Sequence, residues 1–287
     1  MQELLVISGK GGTGKTTLVA AFAAMAKDKV VADCDVDAAD LHLLLQPQIV
    51  TKNEFFGLNK AVIDAELCTK CGSCEEICRF NAIKDFSVDP LLCEGCNVCR
   101  HVCPSGAIIM EPNRAGYWYV SNSTYGPMVH AQLGLAEDNS GKLVTVVRQA
   151  ARELAKEKGH HLIITDGPPG IGCPVISSLT GVSLALLVTE PTVAGRHDLE
   201  RVLRLARYFK VPAVVCINKY DLAPEKSQEL EDYCRQEGIE VAGKIPFDED
   251  VNRSLLAAVP LTSYSRGKAA IAATRLWENL MLRLESV

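Results

Sequence analysis

Outside one central block, the chain alternates short apolar runs with longer segments whose apolar residues recur at helical spacing. The runs occupy residues 4–8 (LLVIS), 30–33 (VVAD), 161–166 (HLIITD), 183–189 (SLALLVT), 213–218 (AVVCIN) and 239–245 (IEVAGKI). Each is nearly continuous in hydrophobicity, as a strand covered on both faces of a parallel sheet must be. Helical segments are expected at about 15–27, 141–158, 194–209, 225–236 and 266–285. This order predicts an α/β fold with a doubly wound, mostly parallel sheet that binds ligands at the C-terminal ends of its strands.

The alternation breaks after about residue 47 and resumes near 140. Inside the gap the chain matches itself when shifted by 25 residues: Asp64 falls on Asp89, Cys68 on Cys93, Cys71 on Cys96, Cys74 on Cys99, Cys78 on Cys103 and Ile83 on Ile108. A repeat of this kind is a small module of its own. The expected organisation is therefore a host domain of residues 1–47 and 113–287 carrying an inserted small α+β domain at 60–112. Residues 113–140 read as the return path into the host domain, with no function assigned.

Composition narrows the class. With 48% hydrophobic, 23% charged and 6% aromatic residues, the 287-residue chain is of soluble globular type. It has no apolar run of the roughly 18 residues that span a bilayer. The N-terminus MQELLVISGK lacks a basic flank and reads as a first strand rather than a leader, so a cytoplasmic protein without stable membrane insertion is expected. A net charge of −5 without a long basic run argues against a nucleic-acid surface. Of twelve cysteines, eight fall between Cys68 and Cys103, and in a reducing compartment such a block indicates metal rather than disulfides.

The first strand is followed by Gly9-Lys10-Gly11-Gly12-Thr13-Gly14-Lys15-Thr16-Thr17, which satisfies G-x-x-x-x-G-K-[ST] between a strand and a helix. Backbone N–H groups of such a loop wrap a phosphate, and the helix N-terminus adds about half a positive charge. Lys15 is expected to reach the β- and γ-phosphates of ATP or ADP, and Thr16 to ligate Mg²⁺. Asp35, in DCDVDAAD past the second strand, points to the same crevice, with Asp33, Asp37 and Asp40 as rivals. Asp166, ending the strand before GPPGIG, can hold Mg²⁺ through a water. The Pro/Gly loop behind it could sense the γ-phosphate. Asn218 in INKYD ends another strand and can meet a purine edge.

Lys10 within GKGGTGKTT, DCD after the second strand and DGPPG later resemble the MinD/ParA/Mrp branch of P-loop ATPases, with the nitrogenase iron protein as a relative. The resemblance covers about 1–47 and 140–287. It implies a homodimer with ATP sandwiched between subunits, in which Lys10 reaches the partner's nucleotide. It further implies that Asp35 orients the attacking water, that Asp166 is the water-mediated Mg²⁺ acid and that Asn218 contacts adenine. INKYD also resembles the guanine-reading N-K-x-D of small GTPases, although the rest of the chain matches the other branch.

The cysteine block reads C-x2-C-x2-C-x3-C twice, the spacing of a two-cluster bacterial ferredoxin, whose fourth cysteine in each run ligates the other cluster. This assigns Cys68, Cys71, Cys74 and Cys103 to one [4Fe-4S] cluster, and Cys93, Cys96, Cys99 and Cys78 to the other. Zinc is the competing reading. Cys103 is followed by Pro104 as the pattern asks, whereas Cys78 is followed by Arg79. Of the other cysteines, Cys34 and Cys216 fall in apolar strands and Cys234 on a helix, all read as core thiols. Cys173 stands seven residues after Asp166, where the nitrogenase iron protein resembles this chain in carrying a cysteine for a cluster shared between subunits. Three functions compete: a dimeric ATPase switch coupled to an electron-transfer module and its redox partner protein, a cluster carrier or assembly ATPase like Mrp, and a positioning or regulatory ATPase with clusters as sensor.

Overall fold

The computed structural model describes residues 1–134, 137 and 141–286. Two compact units divide the chain, a larger one of Met1–Lys52, Tyr119–Ala131 and Asn139–Val287 and a smaller one of Asn53–Trp118 and Gln132–Asp138. The strands are β1 (Gln2–Ser8), β2 (Lys29–Asp33), β3 (Gln48–Phe56), β4 (Lys60–Ile63), β5 (Ile83–Lys84), β6 (Ser87–Val88), β7 (Ile108–Glu111), β8 (Arg114–Ser123), β9 (Gly126–Leu133), β10 (Leu162–Pro169), β11 (Leu184–Thr189), β12 (Ala213–Asn218) and β13 (Glu240–Ile245). The helices are α1 (Lys15–Met25), α2 (Leu41–Leu45), α3 (Ser73–Ile77), α4 (Val98–Val102), α5 (Lys142–Lys158), α6 (Cys173–Leu179), α7 (Val193–Tyr208), α8 (Pro224–Gln236), α9 (Glu249–Leu256), α10 (Leu261–Tyr264) and α11 (Lys268–Leu284).

One nine-stranded sheet has the order β13-β12-β11-β1-β10-β2-β9-β8-β3. The pairs from β13 through β1 to β9 are parallel. The expected mostly parallel α/β sheet is thus present. β1 lies between β10 and β11, so the chain leaves it toward β2 on one side and later fills the other. Strand order reverses there, and in open α/β sheets ligands bind beyond the carboxyl ends of the strands at such a point.

Parity along β1 explains its unbroken hydrophobicity. Leu4 and Val6 face a core that contains Phe22 of α1 and Leu276, Trp277 and Leu280 of α11. Leu5 and Ile7 face a second core that contains Val175 of α6, Leu199 and Leu203 of α7, and Leu230 of α8. Successive side chains of a strand point to opposite faces, so a strand between two helical layers is apolar at every position. The buried Glu3 departs from this pattern and is paired with Arg148 of α5 at 2.8 and 2.9 Å and with Arg152 at 2.8 Å.

The 47–140 interval is less of an interruption than its pattern implies. β3, β8 and β9 all join the sheet, so much of the stretch read as a return path is strand. Residues 135, 136 and 138–140 of that path lie outside the described residues. In the smaller unit, β4 pairs antiparallel with β7, and β5 pairs antiparallel with β6. The 25-residue repeat recurs in its backbone: α3 and α4 are each five residues long and are preceded by Gly72 (φ 81°) and Asn97 (φ 66°), both left-handed. Ala61, Cys74, Ile83, Cys99 and Ile108 form its small core.

Candidate functional site

The phosphate loop leaves β1 and turns directly into α1. Gly14, which precedes the first helical residue Lys15, has φ 88°. A Cβ there would also come within 2.4 Å of Asn218 Nδ2. Both the left-handed backbone and the close approach require glycine. Asn218 Nδ2 donates to the Thr13 carbonyl at 2.8 Å, while its Oδ1 accepts from the Lys219 N–H at 3.0 Å. The end of β12 therefore holds the loop in place through the residue expected to meet the base.

Lys15 is 5% exposed and donates to Asp166 Oδ1 at 2.6 Å, to Asp35 Oδ2 at 3.0 Å and to Thr16 Oγ1 at 3.4 Å. The ammonium thus lies between the two carboxylates that sequence placed in the same crevice. Burial works to lower the Lys15 pKa, but Asp166 and Asp35 outweigh it and the pKa is raised. Asp33 completes the group. It is the register partner of Asp166 across β2 and β10, is 1% exposed, and accepts the Asp35 N–H at 3.1 Å. Burial, followed by the charge of Asp166, pushes the Asp33 carboxyl well above the usual range. Burial also raises Asp166, against the pull of Lys15. Asp40 is the residue that precedes α2.

Three oxygens of this cluster, Asp33 Oδ2, Asp35 Oδ1 and Asp166 Oδ2, are buried without a hydrogen bond, as is Thr13 Oγ1. Buried acceptors cost free energy when unpartnered. A set of orphaned carboxylate oxygens beside a loop of backbone N–H groups has the chemistry for a hard divalent cation and a phosphate chain.

Lys10 lies elsewhere. Its Nζ is 3.5 Å from Glu190 Oε2, and Lys219 Nζ is 2.6 Å from Glu190 Oε1. Within one chain the second loop lysine is thus paired with an acid at the end of β11, a partner that sequence reading did not single out. The remaining polar member of INKYD is also engaged: Asp221 Oδ1 accepts the Phe247 N–H at 2.6 Å and Oδ2 accepts from Lys268 at 3.4 Å. A carboxylate so used belongs to the packing of the following loop.

In the smaller unit the eight clustered cysteines separate four and four. Cys78, Cys93, Cys96 and Cys99 line one cavity of about 410 Å³. Cys68, Cys71, Cys74 and Cys103 line a tighter one of about 10 Å³. Each cavity takes its fourth thiol from the other half of the repeat. Burial raises the Cys74 and Cys99 thiols, and their neighbouring cysteines, Cys103 and Cys68 for the first and Cys93, Cys96 and Cys78 for the second, add to the rise. Cys71 is lowered by the Ser73 backbone and hydroxyl, and Cys103 by the Ser105 hydroxyl. Among the described residues no three His, Cys, Asp or Glu side chains converge on a single-ion site; the thiols surround volumes. Cys34, Cys216 and Cys234 are fully buried, and burial pushes Cys216 to about 12 and Cys234 to about 11. Cys173 is exposed at the start of α6 and lines neither cavity.

Residues 4–261 match the family model of the CobQ/CobB/MinD/ParA nucleotide binding domain. The chain belongs to this family. An uncharacterised protein of Methanocaldococcus jannaschii is 32% identical over 98% of this chain and 96% of its own length. An iron-sulfur cluster carrier protein of Pyrococcus horikoshii is 26% identical over 51% of this chain and 54% of its own. Among solved structures, the cell division ATPase MinD of Pyrococcus furiosus superposes with a TM-score of 0.59 at 17% identity, covering 98% of this chain and 99% of that one. The family thus accounts for the parallel sheet and the phosphate loop at its switch point. No helix among the described residues is long and apolar enough to cross a membrane.

Proposed function

We propose that the chain is a Mg²⁺-dependent ATPase that works as a homodimeric switch and couples its nucleotide state to a pair of [4Fe-4S] clusters held in its inserted domain. The observation that carries this reading is the division of eight cysteines into two cavities of four, with fourth members exchanged, in a chain whose phosphate loop presents Lys15 to buried carboxylates.

In the nucleotide site, Lys15 exchanges carboxylate partners for the β- and γ-phosphates when ATP enters, and the loop N–H groups from Gly9 to Thr17 cradle them. Thr16, Asp35 and Asp166 hold Mg²⁺, to which the orphaned oxygens of Asp35 and Asp166 are suited. Asp35 orients the attacking water. Asn218 fixes the loop and borders the adenine. Lys10 leaves Glu190 and crosses to the partner subunit's nucleotide, where it stabilises charge that develops during hydrolysis. In the inserted domain Cys68, Cys71, Cys74 and Cys103 hold one cluster, and Cys93, Cys96, Cys99 and Cys78 the other. When bound, such clusters would supply one-electron transfer, at a potential set by net charge, hydrogen bonds to the sulfurs and exposure. The partners are a second copy of the chain and a redox protein, in a reducing, cytoplasmic compartment.

A cluster-carrier role is the second reading, favoured by the carrier protein of P. horikoshii that matches half of the chain. The burial of Cys74 and Cys99, 7% and 8% exposed, speaks for resident clusters. Anaerobic purification with iron and sulfide counting, followed by ATPase rates with the clusters oxidised and reduced, tests the proposal. Rates that respond to redox state are expected. Rapid loss of the clusters to an apo-acceptor would establish the carrier instead, and potentials indifferent to ATP would favour a regulatory sensor.

A further inference from the structure

The 25-residue repeat makes the two cysteine sets comparable position by position, and they differ in the residues next to the sulfurs. Ser73 stands two residues after Cys71, its Oγ 3.6 Å from Cys71 Sγ. Ser105 stands two residues after Cys103, its Oγ 3.6 Å from Cys103 Sγ. Both hydroxyls therefore serve one set, that of Cys68, Cys71, Cys74 and Cys103. At the equivalent positions of the other set the chain has Val98, two residues after Cys96, and Phe80, two after Cys78. These two side chains line the larger cavity and have no polar hydrogen to offer.

The chemistry of the difference is direct. As a thiol, Cys71 donates to Ser73. A metal-bound sulfur is a thiolate and can only accept, so the hydroxyl must turn and donate to it. Reduction adds negative charge to the sulfurs, and a donor aimed at them stabilises the reduced form; hydrogen bonds to sulfur, net charge and exposure set the potential of such groups. Net charge does not separate the sets in the opposite sense: Arg79 and Glu94 both line the cavity of the Val98 set. They are exposed, opposite in sign and screened by water.

We propose that Ser73 and Ser105 are tuning residues that make the Cys68 set the more readily reduced of the two, while Val98 and Phe80 keep the Cys78 set at lower potential. The inference rests on the two-cluster reading. An electron from a low-potential one-electron donor then resides at the Cys68 set when the pair is half reduced.

The test is a reductive titration of the full chain with dithionite, prepared anaerobically and followed by electron paramagnetic resonance, with iron counted in every variant. Two reduction steps are expected. Ser73→Ala with Ser105→Ala should move the earlier step alone toward lower potential, by roughly tenfold in the exchange equilibrium between the sites, or about 59 mV for one electron. Ser105→Thr, which keeps the hydroxyl, should retain the wild-type value relative to Ser105→Ala. Val98→Ser with Phe80→Ser should raise the later step. Two loaded sites whose potentials ignore the serine changes, or a shift confined to the later step, would overturn the inference and leave the two-cluster reading standing. Fewer than about eight iron atoms per wild-type chain would overturn both.

Discussion

Lys15→Ala probes the charge cluster at the centre of the proposed nucleotide site. The ammonium lies 2.6 Å from Asp166 and 3.0 Å from Asp35. At an effective dielectric constant of about 20, these contacts are worth about 6.4 and about 5.5 kcal/mol before desolvation is set against them. Removing one partner of a buried ion pair costs about 3–5 kcal/mol, because the remaining charge stays buried and unpaired. The variant should lose that much stability near neutral pH. The loss should depend on pH with a definite sign. Burial already holds the folded pKa of Asp33 and Asp166 above the ordinary value, and removing the ammonium takes away the charge that pulls both down. Such groups stabilise the folded state while protonated, and that contribution falls as pH rises. The deficit relative to wild type should therefore be smaller at pH 5 than at pH 8.

Trp277 provides the assay. Its ring packs 5.2 Å from that of Phe22 on α1, the helix that begins at Lys15. In a Trp118→Phe background its fluorescence follows unfolding of the larger unit in urea. ATP with Mg²⁺ at about 100 times its Kd should stabilise the parent by about 2.7 kcal/mol and the Lys15→Ala variant not at all. A midpoint equal to wild type, or a deficit that grows as pH falls, would show that the ammonium does not hold these carboxylates together.

Lys10→Ala should retain ATP binding by equilibrium dialysis, yet remain monomeric in light scattering with MgATP and lose roughly 10³- to 10⁵-fold in turnover, the range for trans-acting cations. His130 is buried against Tyr119 and His42, and burial, then the charge of His42, lowers its pKa to about 4. From the ordinary 6.5 down to about 4 the unfolded chain binds the proton and the folded one does not. Stability should fall by about 3 kcal/mol across that window as pH drops. His130→Gln should flatten this in urea titrations at stepped pH. In native, metal-free protein, iodoacetamide should modify exposed Cys173 promptly and leave Cys34, Cys216 and Cys234 unlabelled by peptide mass mapping until denaturant is added.

Local chemistry was legible wherever it obeys a short-range rule. The phosphate loop is written as a spacing because consecutive backbone N–H groups must wrap one anion, and the glycine before Lys15 is required by a left-handed turn visible in one residue. The paired cysteine runs are written as a spacing for the same reason, and the repeat carries into the backbone as two matched helices. The core strands were legible from continuous hydrophobicity, since a strand covered on both faces cannot alternate. β3, β8 and β9 were not, because β3 is exposed along most of its length and β8 and β9 are unevenly buried, and such patterns do not distinguish strand from loop.

By itself the sequence determined the sheet class, the loop that meets phosphate and the eight-cysteine repeat, because each depends on residues close together along the chain. Tertiary structure decided which distant groups meet. It set Asp33 in register with Asp166, placed Lys10 and Lys219 on Glu190, used Asn218 to hold Thr13, and put both serine hydroxyls beside one set of cysteines. Parallel strands joined by helices bring together residues more than a hundred positions apart, and the strength of a charge or hydrogen bond depends on the burial and distance that packing creates.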